Sequence, residues 1–356
     1  MQIVTTDFGT LSTGERAHLY TLSNEQGMTV SVTDLGGAIV HICAPDRNGV
    51  IEDVVLGYDK VETYEAADGY LGALVGRVAG RIPRGRFVVD GRVYNLATND
   101  GPNHLHGGLR GFSHAMWKGT TAADEHTATL TLTLHSPDGE DGYPGNVDTT
   151  VTYTLTADNA LTIHYRATTD RACPIDLTNH VYFNLSGQPG QDVLAEELWI
   201  DADRYQVSDH ELIPTGEIRS VQGTPFDFRV AKPIGQDIEQ ENTDLSNAGG
   251  YDHCMVFTDR DERMPCRVRA YDPTSGRALE LYTDQPCMNF YSANFLKNPA
   301  FPLRGGVAQR IRLGYCLETQ KLIAGVHHPD GKGYCDCTLR PEDVYEHTVT
   351  FRFSVR

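Results

Sequence analysis

Strict alternation of apolar and polar residues recurs along this chain and constrains its fold more than any other feature. In HTATLTLTLHS, Leu130, Leu132 and Leu134 alternate with threonines. Successive side chains of a β-strand point to opposite faces of a sheet, so this period predicts strands with one buried face. The C-terminal TVTFRFSVR repeats the pattern, and its shared apolar face is predicted to comprise Val349, Phe351, Phe353 and Val355.

Turn residues separate these runs at short intervals. Asp90-Gly91 in FVVDGRVYNL is a strong two-residue hairpin signal, and residues 157–159 divide VTYTLTADNALTIHYR in the same way. Long amphipathic helices are absent from the pattern, which offers only short candidates such as 232–241. Because no Pro/Ser/Gly linker or internal repeat divides the chain, we predict one all-β domain over residues 1–356, a large antiparallel β-sandwich.

Composition and charge exclude several classes of function. The chain has 356 residues, 40% of them hydrophobic, which is enough for a large core. Its 30 basic and 48 acidic residues give a formal net charge of −18, so phosphate backbones and anionic membranes are repelled. We therefore expect no nucleic-acid and no membrane partner.

Targeting and cysteine patterns favour the cytoplasm. The opening MQIVTTDFGTLSTGE lacks the basic start and apolar run of a secretory signal, and no stretch of about 20 apolar residues follows it. Eight cysteines dispersed over so long a chain do not resemble the disulfide framework of a small secreted protein. We expect reduced thiols and a cytoplasmic location.

Short motifs gather the side chains that could carry chemistry. Four of them are GRVAGRIPRGRF, NDGPNHLHGG, DLTNHVYFNLSG and CLETQ, and GGYDHCMVF adds an Asp-His pair whose members point to opposite faces of a strand. Histidines, arginines and a carboxylate with amide neighbours suit proton transfer on a neutral polar substrate. The residues concerned are Arg77, Arg81, Arg84, Arg86, His104, His106, His180, Asp252, His253 and Glu318.

His180 illustrates how little one motif decides. It stands at the head of a run in which Val181, Phe183 and Leu185 alternate as in a half-buried strand. Its ring is either a core histidine with one satisfied hydrogen bond or an acid that faces a substrate. Both readings fit the motif alone.

Two histidine-containing patterns raise the question of a metal site. His104 and His106 would share one side of a strand, but no third ligand follows in Gly-Gly-Leu-Arg-Gly. The stretch Cys335-Asp336-Cys337, behind His327-His328, lacks the usual zinc spacing. Nucleophile-elbow, phosphate-loop and Cys-x-x-Cys motifs are also absent from the sequence. We predict neither a metal nor a cofactor.

Taken together and in this order, the motifs resemble those of the aldose 1-epimerase family, the galactose mutarotases. GRVAGRI is similar to the family's GRVANRI, and the likeness extends over nearly the whole chain through NDGPNHLHGG, SPDGEDGYPGN, LTNHVYFNLSG, GYDH, CLETQ and LRPEDVYEHTVTFRF. The resemblance implies a large antiparallel β-sandwich with a sugar cleft on one sheet. It also implies an enzyme that interconverts the α and β anomers of free aldohexoses such as galactose or glucose, without metal or cofactor.

The resemblance assigns roles residue by residue. The glutamate of CLETQ, Glu318, matches the general base, and the histidine of LTNH, His180, matches the general acid. Activity should then fall as Glu318 is protonated in acid and as His180 loses its proton in alkali. The predicted substrate-binding residues are Arg81, His106, Asp252 and Asn289, and the candidates for stacking on the sugar are Trp117, Phe183, Phe290 and Tyr291.

Three departures from the family pattern leave the preferred sugar open. Gly80 stands where the family has asparagine, and a water molecule is expected in the space that the side chain would fill. Asn289 stands where the family has glutamine, and KLIAGVHHP follows CLETQ where the family has an aromatic-Pro-Asp-Ala run. We expect Gly80→Asn with Asn289→Gln to change KM rather than kcat.

Two other functions stay open alongside the first. A hexose-6-phosphate 1-epimerase of related fold would need a basic pocket for the phosphate, to which Arg84 or Arg86 could contribute. A non-catalytic sugar-binding protein would keep the cleft and lose Glu318 or His180, and both are present. The sequence does not decide between a monomer and a homodimer.

Overall fold

The computed structural model describes residues 1–323 and 336–356, and β-strands dominate it. The strands are β1 Gln2–Thr10, β2 Arg16–Ser23, β3 Thr29–Thr33, β4 Ile39–Pro45, β5 Ile51–Asp53, β6 Leu74–Val75, β7 Arg81–Ile82, β8 Arg86–Val89, β9 Arg92–Asn95, β10 His104–Leu105, β11 Lys118–Ala123, β12 Thr127–Ser136, β13 Val147–Thr156, β14 Ala160–Thr169, β15 Cys173–Pro174, β16 Thr178–Asn179, β17 Glu197–Ile200, β18 Ala202–Ser208, β19 Pro214–Ser220, β20 Lys232–Pro233, β21 Asp252–Phe257, β22 Cys266–Tyr271, β23 Arg277–Thr283, β24 Cys287–Tyr291, β25 Cys316–Gln320, β26 Thr338–Leu339 and β27 Tyr345–Val355.

Helices are few and short in the described ranges. They are α1 Val61–Ala66, α2 Gly111–His114 and α3 Thr243–Ala248, with 3₁₀ turns at Pro83–Gly85, Glu140–Gly142 and Arg304–Gly306. None of these helices is long and apolar enough to cross a membrane.

Three large antiparallel sheets contain most of the described strands, and the other strands form two-stranded pairs. The largest has nine strands in the order β11-β12-β13-β14-β27-β23-β22-β17-β20. A five-stranded meander holds β1 to β5 in sequence order, and a second five-stranded sheet has the order β19-β18-β21-β24-β25. We call the last of these the site sheet, because it carries Asp252, Asn289 and Glu318.

All three sheets contribute side chains to the largest buried apolar cluster of the described residues. Val30 of the meander, Leu132 of the nine-stranded sheet and Met288 of the site sheet all belong to it, and each is fully buried. Burial of apolar area on this scale is the dominant favourable term in folding. The prediction of an all-β antiparallel sandwich is therefore confirmed, while its extent as a single domain over residues 1–356 stays a prediction.

Local sequence signals placed the hairpins correctly. Asp90 and Gly91 join β8 to β9 with φ values of 50° and 74°, the left-handed backbone that this two-residue turn needs. Residues 157–159 join β13 to β14 as predicted. In β27, Val349 and Phe353 are buried, but Val355 is 47% exposed because the strand runs out past the core.

Two local predictions were wrong. Residues 232–241 form no helix: β20 and turns occupy the segment, since Pro233 lacks a donor and Gly235 lies against the backbone of Leu194. The run after His180 is not half-buried either. Val181 to Leu185 are buried throughout, because Phe183 on one face packs in the main apolar cluster and Tyr182 on the other face packs in a second cluster.

Candidate active site

A cavity of about 680 Å³ lies against the site sheet. Its walls come from segments that are distant in sequence, including the β7 and β10 pair and the extended segment that follows β16. All six residues that the sequence singled out for catalysis or substrate binding line it: Arg81, His106, His180, Asp252, Asn289 and Glu318. This volume is within the range of small-molecule sites.

Neighbouring strands of the site sheet aim two carboxyl groups and an amide into this cavity. Asn289 on β24 pairs in register with Glu318 on β25 and with Cys254 on β21, two residues after Asp252. Residues two apart share a face of a strand, so all three side chains point the same way. Asn289 Nδ2 donates to Asp252 Oδ1 at 2.8 Å and to Glu318 Oε1 at 3.3 Å. The amide therefore links the two carboxyl groups.

The backbone and ring plane of His180 are held by the segment around residues 70–73 and by neighbouring tyrosines. His180 N donates to Ala73 O, and Gly72 N donates to His180 O, both at 2.9 Å. The Tyr182 ring stacks on the imidazole with 5.0 Å between centroids, and the Tyr70 ring lies 5.9 Å away at 24°. These contacts leave the ring little freedom to tilt.

Both nitrogens of the His180 ring face strand β25. Nε2 lies 3.8 Å from Glu318 Oε2, and Nδ1 lies 3.4 Å from Cys316 Sγ. All three residues are buried, with Glu318 only 1% exposed. An acid–base pair at this separation can flank two oxygen atoms of one substrate.

Burial sets the protonation of this pair. It raises the pKa of Glu318 to about 8, with the nearby Asp252 acting in the same direction, and it lowers the pKa of His180 to about 4. Between these values the pair holds one proton, and that proton sits on the carboxyl group. Moving it to the imidazole would give a carboxylate and an imidazolium with no change in total charge.

His106 and Arg81 enter the cavity from the β7 and β10 pair. His106 Nδ1 accepts a hydrogen bond from Gly80 N at 3.2 Å, and its ring meets that of His180 edge-on with 5.4 Å between centroids. Burial lowers the pKa of His106 well below its usual value, with the His180 and Arg81 charges acting in the same direction. Arg81 Nε donates to Asp100 Oδ2 at 2.7 Å.

The expectation that His104 and His106 share one side of a strand was wrong. Strand β10 ends at Leu105, and His106 takes a φ of 52°, which turns its ring into the cavity. His104 points elsewhere: its Nδ1 pairs with Ala97 O at 2.6 Å and its Nε2 with Tyr143 OH at 2.7 Å. The two rings therefore cannot serve one metal ion.

A different trio is close enough to share a cation. Ligand atoms of His106, His180 and Glu318 lie within 4.8 Å of one another. Metal independence thus stays a prediction that chelation must test. In the other metal pattern of the sequence, Cys335, His327 and His328 lie outside the described residues, while Cys337 is buried.

The arginines of GRVAGRIPRGRF have separate roles. The buried Arg77 donates to backbone carbonyl oxygens in the loop between β12 and β13, so it supports the fold. Arg81 alone lines the cavity. Arg84 pairs with Glu211 at 3.0 Å and its side chain is 62% exposed, and Arg86 is exposed on β8.

Of the four aromatic residues considered for stacking on a sugar, only Tyr291 lines the cavity. Trp117, Phe183 and Phe290 belong to the apolar core. The sequence reading missed Tyr70, Tyr182 and Phe295 in the cavity wall. Tyr182 could have been found, since it follows His180 by two residues in an extended segment.

The side chain of Ile323 lies close to Gly80. The φ of Gly80 is 74°, and a Cβ atom placed on it would lie 2.9 Å from Ile323 Cγ2 and 3.1 Å from Cγ1. Ile323 also lines the cavity, and the water expected beside Gly80 stays a prediction. Gly80 and Ile323 belong to two of the departures from the family pattern, and they lie next to each other in the structure.

Residues 18–352 match the family model of aldose 1-epimerase. The chain belongs to the aldose 1-epimerase family. Galactose mutarotase from Bos taurus is 39% identical over 349 residues, 98% of this chain and 97% of the relative. Aldose 1-epimerase from Escherichia coli strain K12 is 36% identical over 340 residues, 96% of each chain. As an aldose 1-epimerase, the chain is an isomerase that interconverts the anomers of an aldose.

Solved structures give the same picture of the fold. The GalM/aldose epimerase homologue from C. elegans superposes with a TM-score of 0.85 at 30% identity, over 95% of this chain and 99% of that one. Galactose 1-epimerase from Lactobacillus acidophilus NCFM gives a TM-score of 0.86 at 26% identity, over 99% of both chains. The sandwich of this aldose 1-epimerase is thus that of its relatives.

Proposed function

We propose that this aldose 1-epimerase acts on a free aldohexose, galactose or glucose, with Glu318 as general base and His180 as general acid. One observation carries the assignment: Nε2 of His180 and Oε2 of Glu318 lie 3.8 Å apart in the wall of the cavity. Relatives named galactose mutarotase support galactose as a substrate.

The chemistry requires two proton transfers and one bond cleavage. A pyranose is a hemiacetal, so ring opening takes the proton from the C1 hydroxyl and breaks the bond between C1 and the ring oxygen. Glu318 accepts the hydroxyl proton, the electron pair of the O–H bond forms the aldehyde, and His180 protonates the departing ring oxygen. Rotation about C1–C2 exposes the other face of the aldehyde. Reclosure returns each proton to the group that held it.

The proton count of the pair fits this cycle. Ring opening starts from carboxylate and imidazolium, and ring closure starts from carboxylic acid and neutral imidazole. Both forms contain one proton, and the empty site favours the second because burial opposes charge on each group. Substrate hydroxyls that hydrogen-bond the carboxylate would shift the balance towards the first.

Other residues of the cavity hold the sugar and the carboxyl groups. Arg81, His106 and Asp252 offer charged and polar groups to hydroxyls around the ring. Asn289 acts differently, since both N–H groups of its amide are engaged by Asp252 and Glu318. It orients the base through its amide nitrogen, while its Oδ1, which has no partner in the described part of the chain, is free to accept from a sugar hydroxyl.

Charge in the cavity argues against a sugar phosphate. The described lining contains five carboxyl groups and two permanent cations, and Arg84, which is not part of the lining, is already paired with one of these carboxyl groups, Glu211. A dianionic phosphate would meet a predominantly acidic wall. These groups are Asp68, Asp100, Glu211, Asp252 and Glu318, with Arg81 and Lys297.

A reducing compartment suits the cysteines, so we place the reaction in the cytoplasm. No two cysteines in the described ranges are joined by a disulfide. Neither a metal nor a cofactor is required, because acid, base and substrate complete the reaction. Both monomer and homodimer are compatible with this function.

Polarimetry with freshly dissolved single anomers tests the proposal. Galactose and glucose should equilibrate faster with enzyme present, and their 6-phosphates should not. The rate should survive dialysis against EDTA. Loss of activity on chelation with recovery on zinc would instead make His106, His180 and Glu318 a metal site. Binding of sugar without any change in rate would favour a non-catalytic sugar-binding protein.

A further inference from the structure

Strand β25 carries a second group that touches the proposed acid. Cys316 and Glu318 are two residues apart, so they share one face of the strand. Cys316 Sγ lies 3.4 Å from Nδ1 of His180, while Glu318 Oε2 lies 3.8 Å from Nε2. A single strand thus contacts both nitrogens of the imidazole.

The contacts with the tyrosines cannot choose between two orientations of this ring. Stacking on Tyr182 fixes the ring plane. A half-turn of the His180 ring about its Cβ–Cγ bond keeps that plane but exchanges Nδ1 with Cδ2 and Nε2 with Cε1. Only one of the two orientations presents a nitrogen to Glu318. Among the other residues of the described chain, Cys316 alone forms a hydrogen bond with this ring, through its sulfur.

We propose that Cys316 is a positioning residue for His180, whose sulfur holds Nδ1 so that Nε2 faces Glu318 and the substrate. This inference rests on the proposed function of the pair. During turnover Nε2 must release and regain a proton while Nδ1 keeps its own, and sulfur is a weak acceptor for that Nδ1–H. The thiol stays neutral, because burial raises its pKa well above the usual value. It can therefore orient the ring without adding a charge that would hold the proton on His180.

Three substitutions separate orientation from packing. Cys316→Ala and Cys316→Val remove the hydrogen bond, the first with a small void and the second without one. Cys316→Ser keeps a donor and acceptor at the same place. We expect about two- to twelvefold lower kcat in the Ala and Val variants, the range for loss of one hydrogen bond, with KM unchanged. The Ser variant should recover most of the rate.

The pH profile is a readout that packing alone would not move. A serine oxygen is the stronger acceptor, so the acid limb of kcat/KM should move to higher pH in Cys316→Ser. The other titratable groups near this ring are Glu318, His106, Tyr70, Tyr182 and Tyr291, and none of them is changed. Cys173→Ala is the matched control, since that cysteine is equally buried but its sulfur pairs with Thr169 and not with His180.

The outcomes distinguish this inference from the proposed function. If the wild type lacks mutarotase activity, or His180→Asn retains it, the proposed function itself fails. If both hold but Cys316→Ala and Cys316→Val turn over like the Cys173→Ala control, the positioning role is overturned. Should the Ala and Val variants not fold, Cys316→Ser decides alone: a profile that coincides with the wild type rejects the role.

Discussion

His180 and Glu318 form a buried pair, with Nε2 of the imidazole 3.8 Å from Oε2 of the carboxyl group. The two residues come from different parts of the fold, one from the extended segment after β16 and one from β25. Because burial disfavours charge on both, the pair binds its single proton as a unit rather than as two independent groups. Activity and stability should both depend on that proton.

Replacing either member of the pair should abolish most of the activity. For Glu318→Gln and His180→Asn we expect kcat to fall by about two to four orders of magnitude, the usual worth of a positioned acid or base. Both variants should fold, since each new side chain is polar and close in size. Polarimetric rates with galactose, alongside circular dichroism, make the comparison. Near-normal turnover in either folded variant contradicts the assignment.

The pH profile of kcat/KM should be a bell with limbs near the two pKa values. Below about pH 4 His180 is protonated as well as Glu318, so the pair holds two protons and has no base. Above about pH 8 Glu318 loses the last proton, and the pair has no acid. The sequence suggested the opposite assignment, with Glu318 on the acid limb. Infrared or ¹³C NMR detection of the Glu318 carboxyl decides: it should be protonated at pH 6, and a carboxylate there would restore the simpler assignment.

Stability should rise when the base is neutralised. The folded-state pKa of Glu318, about 8, exceeds its ordinary value of 4.5, so the folded protein binds a proton that the unfolded chain releases. The contribution of Glu318 to stability therefore falls as pH rises from about 4.5 to about 8, and Glu318→Gln lacks this loss. The variant should melt at a higher temperature, and its advantage should grow across that range by a few kcal/mol. Melting temperatures of the two proteins are compared at pH 4.5 and pH 8. If the difference between variant and wild type is the same at both, Glu318 is not a buried group that binds a proton.

Local rules predicted the parts of the fold that local interactions decide. Asp90-Gly91 gives a tight turn because its backbone angles need those residues, whatever surrounds them. The half-buried prediction for the run after His180 failed because its second face, at Tyr182, is covered by a separate apolar cluster whose members no local pattern connects to it. The same holds for residues 232–241, where a contact between Gly235 and Leu194 replaces a helix.

The candidate site also combines features that the sequence predicted with features that only tertiary contacts determine. All six residues assigned by resemblance line one cavity, which tertiary structure had to assemble. The turn at His106, with φ 52°, could not be foreseen from a His-x-His spacing that assumes a continuous strand. The contact of Ile323 with Gly80 could not be foreseen either, because these two residues are far apart in the sequence.

The contact between Ile323 and Gly80 changes the expected effect of restoring the family's asparagine at position 80. In Gly80→Asn the new Cβ would lie 2.9 Å from Ile323 Cγ2, so one of the two must move. We expect a loss of about 1–3 kcal/mol in the free energy of unfolding, the usual cost of overpacking. Activity should fall with it, because Gly80 N holds Nδ1 of His106.

A matched control separates crowding from backbone strain. Gly91 has the same φ of 74° as Gly80, but a Cβ there would meet nothing within 4 Å. Asparagine tolerates the left-handed region better than most residues, so Gly91→Asn should be nearly neutral. If Gly91→Asn loses as much free energy of unfolding as Gly80→Asn, the loss comes from backbone strain and not from crowding by Ile323.

Ile323→Ala should relieve the crowding and reveal the effect on sugar selectivity. In the double variant Gly80→Asn with Ile323→Ala, the stability lost in Gly80→Asn should return, so the two changes should not be additive.

The asparagine amide of the double variant then reaches the cavity, where one hydrogen bond to a neutral hydroxyl contributes about 0.5–1.5 kcal/mol, or about a two- to twelvefold change in KM. Measuring KM for galactose, glucose, xylose and arabinose in all four proteins tests this. If no sugar's KM differs between Ile323→Ala and the double variant, this wall of the cavity does not select the sugar.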